Sequence, residues 1–179
     1  MLTLIIPSGE SYSEQDNTFI YHPETTIRME HSLVSVSKWE SKTKKAFFGK
    51  QPKTAEDNLL YIKCMTITRD VPDEVFSRLS EENIVSISEY INDSMTATYV
   101  PELSGGGSKD TFTSELIYYM MFSYNIPLEC EKWHVNRLLT LIKVFSHKNG
   151  SGQKMSRKDI ASRNAALNAA RRNKYKTKG

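Results

Sequence analysis

The chain has 179 residues and a formal net charge of +3 at pH 7, with 39% hydrophobic and 25% charged residues. This length accommodates one domain with an appendage, or two small modules, and does not suit a large enzyme. No run approaches the roughly 18 apolar residues of a membrane-spanning helix. Residues 1–6 are apolar but lack the positive region and cleavage site of a signal peptide. We therefore expect an intracellular protein that does not associate with a membrane.

Three short apolar segments near the start of the chain predict β-strands. Leu2–Ile6 ends at a Pro-Ser-Gly turn, residues 19–21 form a second candidate strand, and Thr25–Met29 alternates polar and apolar side chains. Residues 1–30 therefore predict a small β-meander. A sheet of this size needs a helical layer to cover it.

From residue 31 the apolar spacing becomes helical, and Thr54, Ser80 and Thr113 are well placed to cap successive helices. Residues 116–124 are apolar on all sides, which predicts a central, buried helix. Pro127 is expected to open a last long helix that continues to about residue 148. Residues 31–149 are thus predicted to be helical, and the chain as a whole predicts an α+β fold that is mainly helical.

Two polar, glycine-containing segments predict flexible connections, at residues 101–110 and 150–154. After the second, an alanine-rich stretch runs to Arg171 and predicts a helix with little apolar surface of its own. We therefore divide the chain into a globular domain at 1–149 and a joint with a basic helix at 150–179.

The positive charge is concentrated at the end of the chain. Residues 148–179 contain ten Lys or Arg and one acid, a net +9, whereas residues 1–147 contain fourteen basic and twenty acidic residues, a net −6. Such a split predicts that the basic segment meets an acidic protein, its own body or nucleic acid. The candidate partner-binding residues are two tryptophans and six cations of the tail: Trp39, Trp133, Arg157, Lys158, Arg163, Arg171, Arg172 and Lys174.

No motif predicts catalysis, a metal site or a cofactor. Cys130 and His134 have a spacing that two metal ligands on one helix would have, but no second pair accompanies them. The same two residues lack a third group for nucleophilic catalysis. The glycines of residues 104–109 do not have the spacing of a phosphate-binding loop and predict a linker. Cys64 and Cys130 are expected to be reduced, buried thiols.

Six blocks of the sequence resemble a protein family found in tailed phages and prophages of the siphovirus type. These blocks cover much of the chain: EHSLVSVSKWESK (30–42), DNLLYIKCMT (57–66), MTAT (95–98), TSELIYY (113–119), IPLECEKWHVNRLLT (126–140) and RNAALNAARR (163–172). Among the proteins of such phages, the resemblance places the chain with the tail-assembly chaperone group.

The resemblance implies a non-enzymatic protein of the host cytoplasm that binds the phage tape-measure protein during tail morphogenesis. It implies tail proteins as partners. Separately, the charge split between the body and the basic segment would allow head-to-tail self-association. Two alternatives stay open: a nucleic-acid-binding phage protein that acts through its basic tail, or a minor structural protein of the virion.

Overall fold

The computed structural model describes residues 1–100 and 112–150, with side chains through 148, and the helical positions Ser162 and Ala165. Within this part, four short strands precede a helical core, which confirms the α+β class. The chain divides into two compact units, Met1–Lys143 and Val144–Gly179. The sequence-based boundary at 149/150 stays a prediction. No helix of the described part combines the length and the hydropathy needed to cross a bilayer.

The strands pair as nested hairpins, which differs from the consecutive pairing of a meander. Their bounds are β1 Leu2–Ile6, β2 Gly9–Ser13, β3 Thr18–His22 and β4 Thr25–Met29. β1 pairs antiparallel with β4, and β2 pairs antiparallel with β3. Strand β2 was absent from the sequence-based expectation, because its polar residues resemble a loop.

The two strand pairs form one long, interrupted ribbon. Ile6 pairs with Thr25, and three residues further along Gly9 pairs with His22, so the register is the same on both sides of the break. Pro7 and Pro23 lie within the break, one in each of the two paired segments. Proline has no backbone N–H to donate to a ladder, which explains why the pairing of the two segments stops here.

The inner pair, β1 and β4, covers the helical core with one face. Leu4, Ile6, Ile27 and Met29 are buried, whereas the residues between them point outward. This alternation follows from the two-residue period of a strand. The apolar pattern of these two strands therefore fixes which face meets the helices.

Six α-helices and a 3₁₀ helix follow in the described residues. Their bounds are α1 Leu33–Thr43, α2 Ala55–Met65, α3 Asp73–Ser77, α4 Glu81–Asn92, α5 Ser114–Ser123, the 3₁₀ helix Leu128–Lys132 and α6 Val135–Gly150. The side chains of Thr54, Ser80 and Thr113 each accept a backbone N–H in the first turn of α2, α4 and α5. The three predicted N-caps are thus confirmed.

Helix α1 lies at the centre of the packing and contacts both α2 and α5. Its Trp39 packs edge-on against Phe47, with ring centroids 5.4 Å apart, and Phe47 packs against Tyr61 of α2 at 4.3 Å. A buried carboxylate also ties α1 to α5. Glu40 accepts hydrogen bonds from the N–H of Phe47 at 2.7 Å and the N–H of Ser114 at 2.8 Å.

Two predictions about the helices were wrong. Helix α5 is buried only on one side, because Ile117 and Met121 face the core while Tyr119 and Phe122 are 68% and 63% exposed. Pro127 precedes the short 3₁₀ helix and not α6, which begins eight residues later at Val135.

Candidate functional site

The outer half of the ribbon, β2 and β3 with their connecting turn (residues 9–22, hereafter the outer ribbon), exposes several large apolar side chains. Neither of its strands contains a buried residue. The register places Tyr12 opposite Phe19 and Glu10 opposite Tyr21. Because side chains alternate between faces, these four residues share one face, which we call the aromatic face.

Its three rings are strongly exposed. Tyr12, Phe19 and Tyr21 are 51%, 74% and 65% exposed, and the rings of Tyr12 and Phe19 lie 5.2 Å apart in a tilted arrangement. Large aromatic side chains are the residues that most often anchor protein interfaces. A contiguous cluster of them, exposed on a projecting hairpin, is typical of an interaction surface.

The turn holds the free end of the outer ribbon in a defined shape. Asn17 adopts a left-handed conformation with φ of 55°, which asparagine tolerates better than most residues. Its side-chain oxygen accepts a hydrogen bond from the hydroxyl of Tyr12. The hydroxyl of Ser13 donates to Asp16 at 3.2 Å. The turn thus orients one ring of the aromatic face directly.

The base of the outer ribbon is held by Arg78, at the end of α3. Its guanidinium donates to the carbonyl oxygens of Pro7 at 2.8 Å and Pro23 at 3.5 Å, one on each side of the break. A side chain at Gly9 would approach the Arg78 stem to 3.7 Å, so the two lie close together. Asn83 of α4 donates to the carbonyl of Ile5 at 3.4 Å. The two Arg78 bonds therefore link the two sides of the ribbon where the prolines interrupt the ladder.

The outer ribbon is acidic. It contains Glu10, Glu14 and Asp16, Glu24 follows two residues after its end, and the first Lys or Arg of the whole chain is Arg28. The ion pairs of the described part involve other acids, namely Glu30, Asp57 and Asp73. None of these acids therefore forms an ion pair within the described residues, and the cation at the base of the outer ribbon, Arg78, donates to backbone carbonyls instead.

A second cluster, of buried polar rings, joins the residue before the N-cap of α1 to α2 and to the segment before α6. His31 is hydrogen-bonded through Nδ1 to the hydroxyl of Tyr61, and its ring lies 4.9 Å from that of His134. Burial, followed by the proximity of His134 and Lys53, lowers the pKa of His31 to about 3. His134 Nε2 lies 2.9 Å from the carbonyl oxygen of Tyr90. Both histidines are buried, so this cluster organises the core and is inaccessible to a partner.

Trp39, predicted to bind a partner, is a core residue. It is 1% exposed, and its indole N–H donates to the carbonyl of Asp57 at 2.8 Å. In this conformation a partner cannot contact Trp39 directly, and its partner-binding role stays a prediction. Trp133 is 37% exposed, with the Arg137 guanidinium 4.4 Å from its ring. Trp133 thus remains available at the surface.

The six predicted cations of the tail lie outside the described residues: Arg157, Lys158, Arg163, Arg171, Arg172 and Lys174. So do the linker at 104–109 and most of the alanine-rich segment. Their assignments stay predictions. The sequence thus predicts partner binding at the C-terminal end of the chain, whereas the exposed aromatic face lies near its N-terminal end.

The spacing of Cys130 and His134 had suggested that both lie on one helix, but they do not. Cys130 lies in the 3₁₀ helix, whereas His134 forms an isolated β-bridge with Ser32. Both cysteines are free and buried, as expected. Burial raises the pKa of both thiols, which reduces the fraction of reactive thiolate. Among the described residues, no group of three or more His, Cys, Asp or Glu could hold a metal ion.

The aromatic face was missed in the sequence. The signal was present: Tyr12, Phe19 and Tyr21 are separated by polar residues or by a single apolar one, at strand spacing. It was hidden because β2 contains only one apolar residue, Tyr12.

No family model matches the chain, and neither the curated proteins nor the solved structures include a significant match.

Proposed function

We propose that this protein acts by binding another protein, and that its partner is the tape-measure protein of a phage tail during tail assembly. The exposed aromatic face of the outer ribbon carries the binding part of this proposal. The identity of the client rests on the resemblance of residues 30–42 and 126–140, with the other blocks, to the tail-assembly chaperone group. The proposal assigns no catalytic role to the chain.

The size of the aromatic face suits a contact that can be released. Three aromatic side chains of about 200 Å² each, exposed as observed, offer on the order of 400 Å² to a partner. Stable complexes bury roughly 800 Å² on each side. Complete burial of the aromatic face would contribute about 10 kcal/mol before the costs of association, which are about 4–15 kcal/mol. The outer ribbon alone therefore supports weak, exchangeable binding, as an assembly chaperone requires.

The acidity of the outer ribbon favours a protein over nucleic acid at this surface. Four acids and no Lys or Arg within residues 7–24 would repel phosphates. A nucleic-acid contact would use other residues, such as the basic segment at 148–179. Protein binding should therefore be lost on mutation of the outer ribbon, whereas nucleic-acid binding should be lost on mutation of the basic segment.

The test is a nuclease-treated pull-down of the tagged full chain from cells that express its native gene cluster, read by mass spectrometry. The variant Tyr12→Ser, Phe19→Ser, Tyr21→Ser removes the aromatic face. The matched control, Tyr119→Ser with Phe122→Ser, removes exposed rings from α5 instead. We expect the wild type and the control to recover a long tape-measure protein, and the ribbon variant to lose it.

Two results would contradict the proposal. In the first, the ribbon variant recovers the client as well as the wild type does. In the second, no protein is recovered after nuclease treatment, and the only material in an untreated sample is lost when nuclease is added. This result would assign binding to the basic segment.

A further inference from the structure

We infer that the aromatic face recognises a cationic protein segment, whose Lys or Arg side chains lie on its rings. This inference rests on the proposed function and names the chemistry of the partner. It starts from the combination of three exposed rings with Glu10 on the same face. A cation above a ring is attracted by the π-electrons, and an adjacent carboxylate adds a charge partner.

Elsewhere in the described chain, cations lie on some of the aromatic rings. Lys53 Nζ lies 4.2 Å from the ring centre of Phe47, and Lys63 Nζ lies 5.5 Å from that of Phe76. The Arg137 guanidinium covers Trp133 in the same way. The described residues place no cation on the rings of the outer ribbon, although these rings are more exposed than that of Trp133.

The acidic side chains near the aromatic face also favour a cationic partner. Glu10 pairs with Tyr21 across the strands, and Glu14 and Asp16 lie in the turn at the far end. Within the described part of the chain, none of these carboxylates takes part in an ion pair. A segment that runs along the aromatic face would therefore meet acids at both ends. Complementary charge of this kind accelerates association and selects the partner.

The experiment measures binding of the full chain to two fluorescent peptides by anisotropy. One peptide alternates arginine and valine, and the other has glutamate in place of arginine. We expect the cationic peptide to bind and the acidic peptide not to bind. Glu10→Lys replaces attraction with repulsion and should weaken binding of the cationic peptide by about tenfold. The ribbon variant Tyr12→Ser, Phe19→Ser, Tyr21→Ser should abolish it.

The matched control is Glu89→Lys, which reverses an exposed acid of α4 outside the outer ribbon. It should leave the affinity unchanged. Equal weakening by Glu89→Lys and Glu10→Lys would overturn the inference, because it would show general attraction to an acidic body. Sedimentation that shows self-association lost in Glu10→Lys would also overturn it, because the occupant would then be a second copy of the chain.

The two proposals fail in distinguishable ways. If Glu10→Lys binds the cationic peptide and recovers the client normally while the aromatic variant does not, the inference fails and the proposed function stands. If the aromatic variant loses the peptide but still recovers the client, the proposed function fails and the ligand chemistry of the aromatic face stands.

Discussion

Removal of the buried imidazole of His31 should change how stability depends on pH. We choose His31→Asn, because the asparagine amide can keep a hydrogen bond with the Tyr61 hydroxyl, as donor or as acceptor, while the side chain no longer titrates. The variant will be less stable at pH 7, since it leaves part of the imidazole volume empty. The informative quantity is therefore the slope with pH and not the stability at one pH.

The sign follows from the pKa. In the unfolded chain His31 has its ordinary pKa of 6.5, and in the folded chain burial, His134 and Lys53 lower the pKa to about 3. Between these values the unfolded state binds a proton that the folded state does not, so stability is complete above pH 6.5 and is lost as the pH falls towards 3. At 1.36 kcal/mol per pH unit, His31 should cost the wild type about 2 kcal/mol between pH 6.5 and pH 5.

Urea denaturation at a series of pH values between 7 and 4.5, followed by tryptophan fluorescence, measures this slope. His31→Asn should lack the loss of about 2 kcal/mol by pH 5. The control His147→Asn changes an exposed histidine and should retain the wild-type slope. Identical pH dependence in His31→Asn and the wild type would refute the argument that His31 is buried in its neutral form.

Two further predictions concern contacts that hold the fold and the base of the outer ribbon. Glu40→Ala leaves the two buried N–H groups of Phe47 and Ser114 and the Ser114 hydroxyl without this acceptor. At about 1–3 kcal/mol for each unsatisfied buried donor, the variant should lose about 3–5 kcal/mol in urea denaturation. Glu40→Gln should lose less, and equal losses would contradict the role of the carboxylate. Arg78→Met keeps the aliphatic stem but removes the donors to the two proline carbonyls. Amide hydrogen exchange should then accelerate in Gly9–His22 but not in β1; unchanged exchange in the outer ribbon would show that Arg78 does not hold it.

The sequence was sufficient for the elements whose signals are local. The caps at Thr54, Ser80 and Thr113 could be recognised because a single side chain satisfies donors within its own turn. The inner strands β1 and β4 could be recognised because one face of each is apolar. These features depend on neighbours in the chain and not on the tertiary fold.

The features that were missed depend on long-range pairing. β2 could not be recognised, because its partner β3 and the continuous register, not its own polar residues, make it a strand. The exposure of Tyr119 and the burial of Glu40 are likewise decided by which side of each helix packs. The start of α6 was misplaced because Pro127 suits the first turn of either helix type.

The most direct test of the central claim is site-specific photo-crosslinking from the aromatic face. A benzoylphenylalanine in place of Phe19 samples the aromatic face, and the same residue in place of Tyr119 samples an exposed site on α5. In cells that express the native gene cluster, position 19 should crosslink to the long tape-measure protein and position 119 should not. Crosslinks to that protein from position 119 alone, or none from position 19, would contradict the assignment of the outer ribbon as the partner-binding surface.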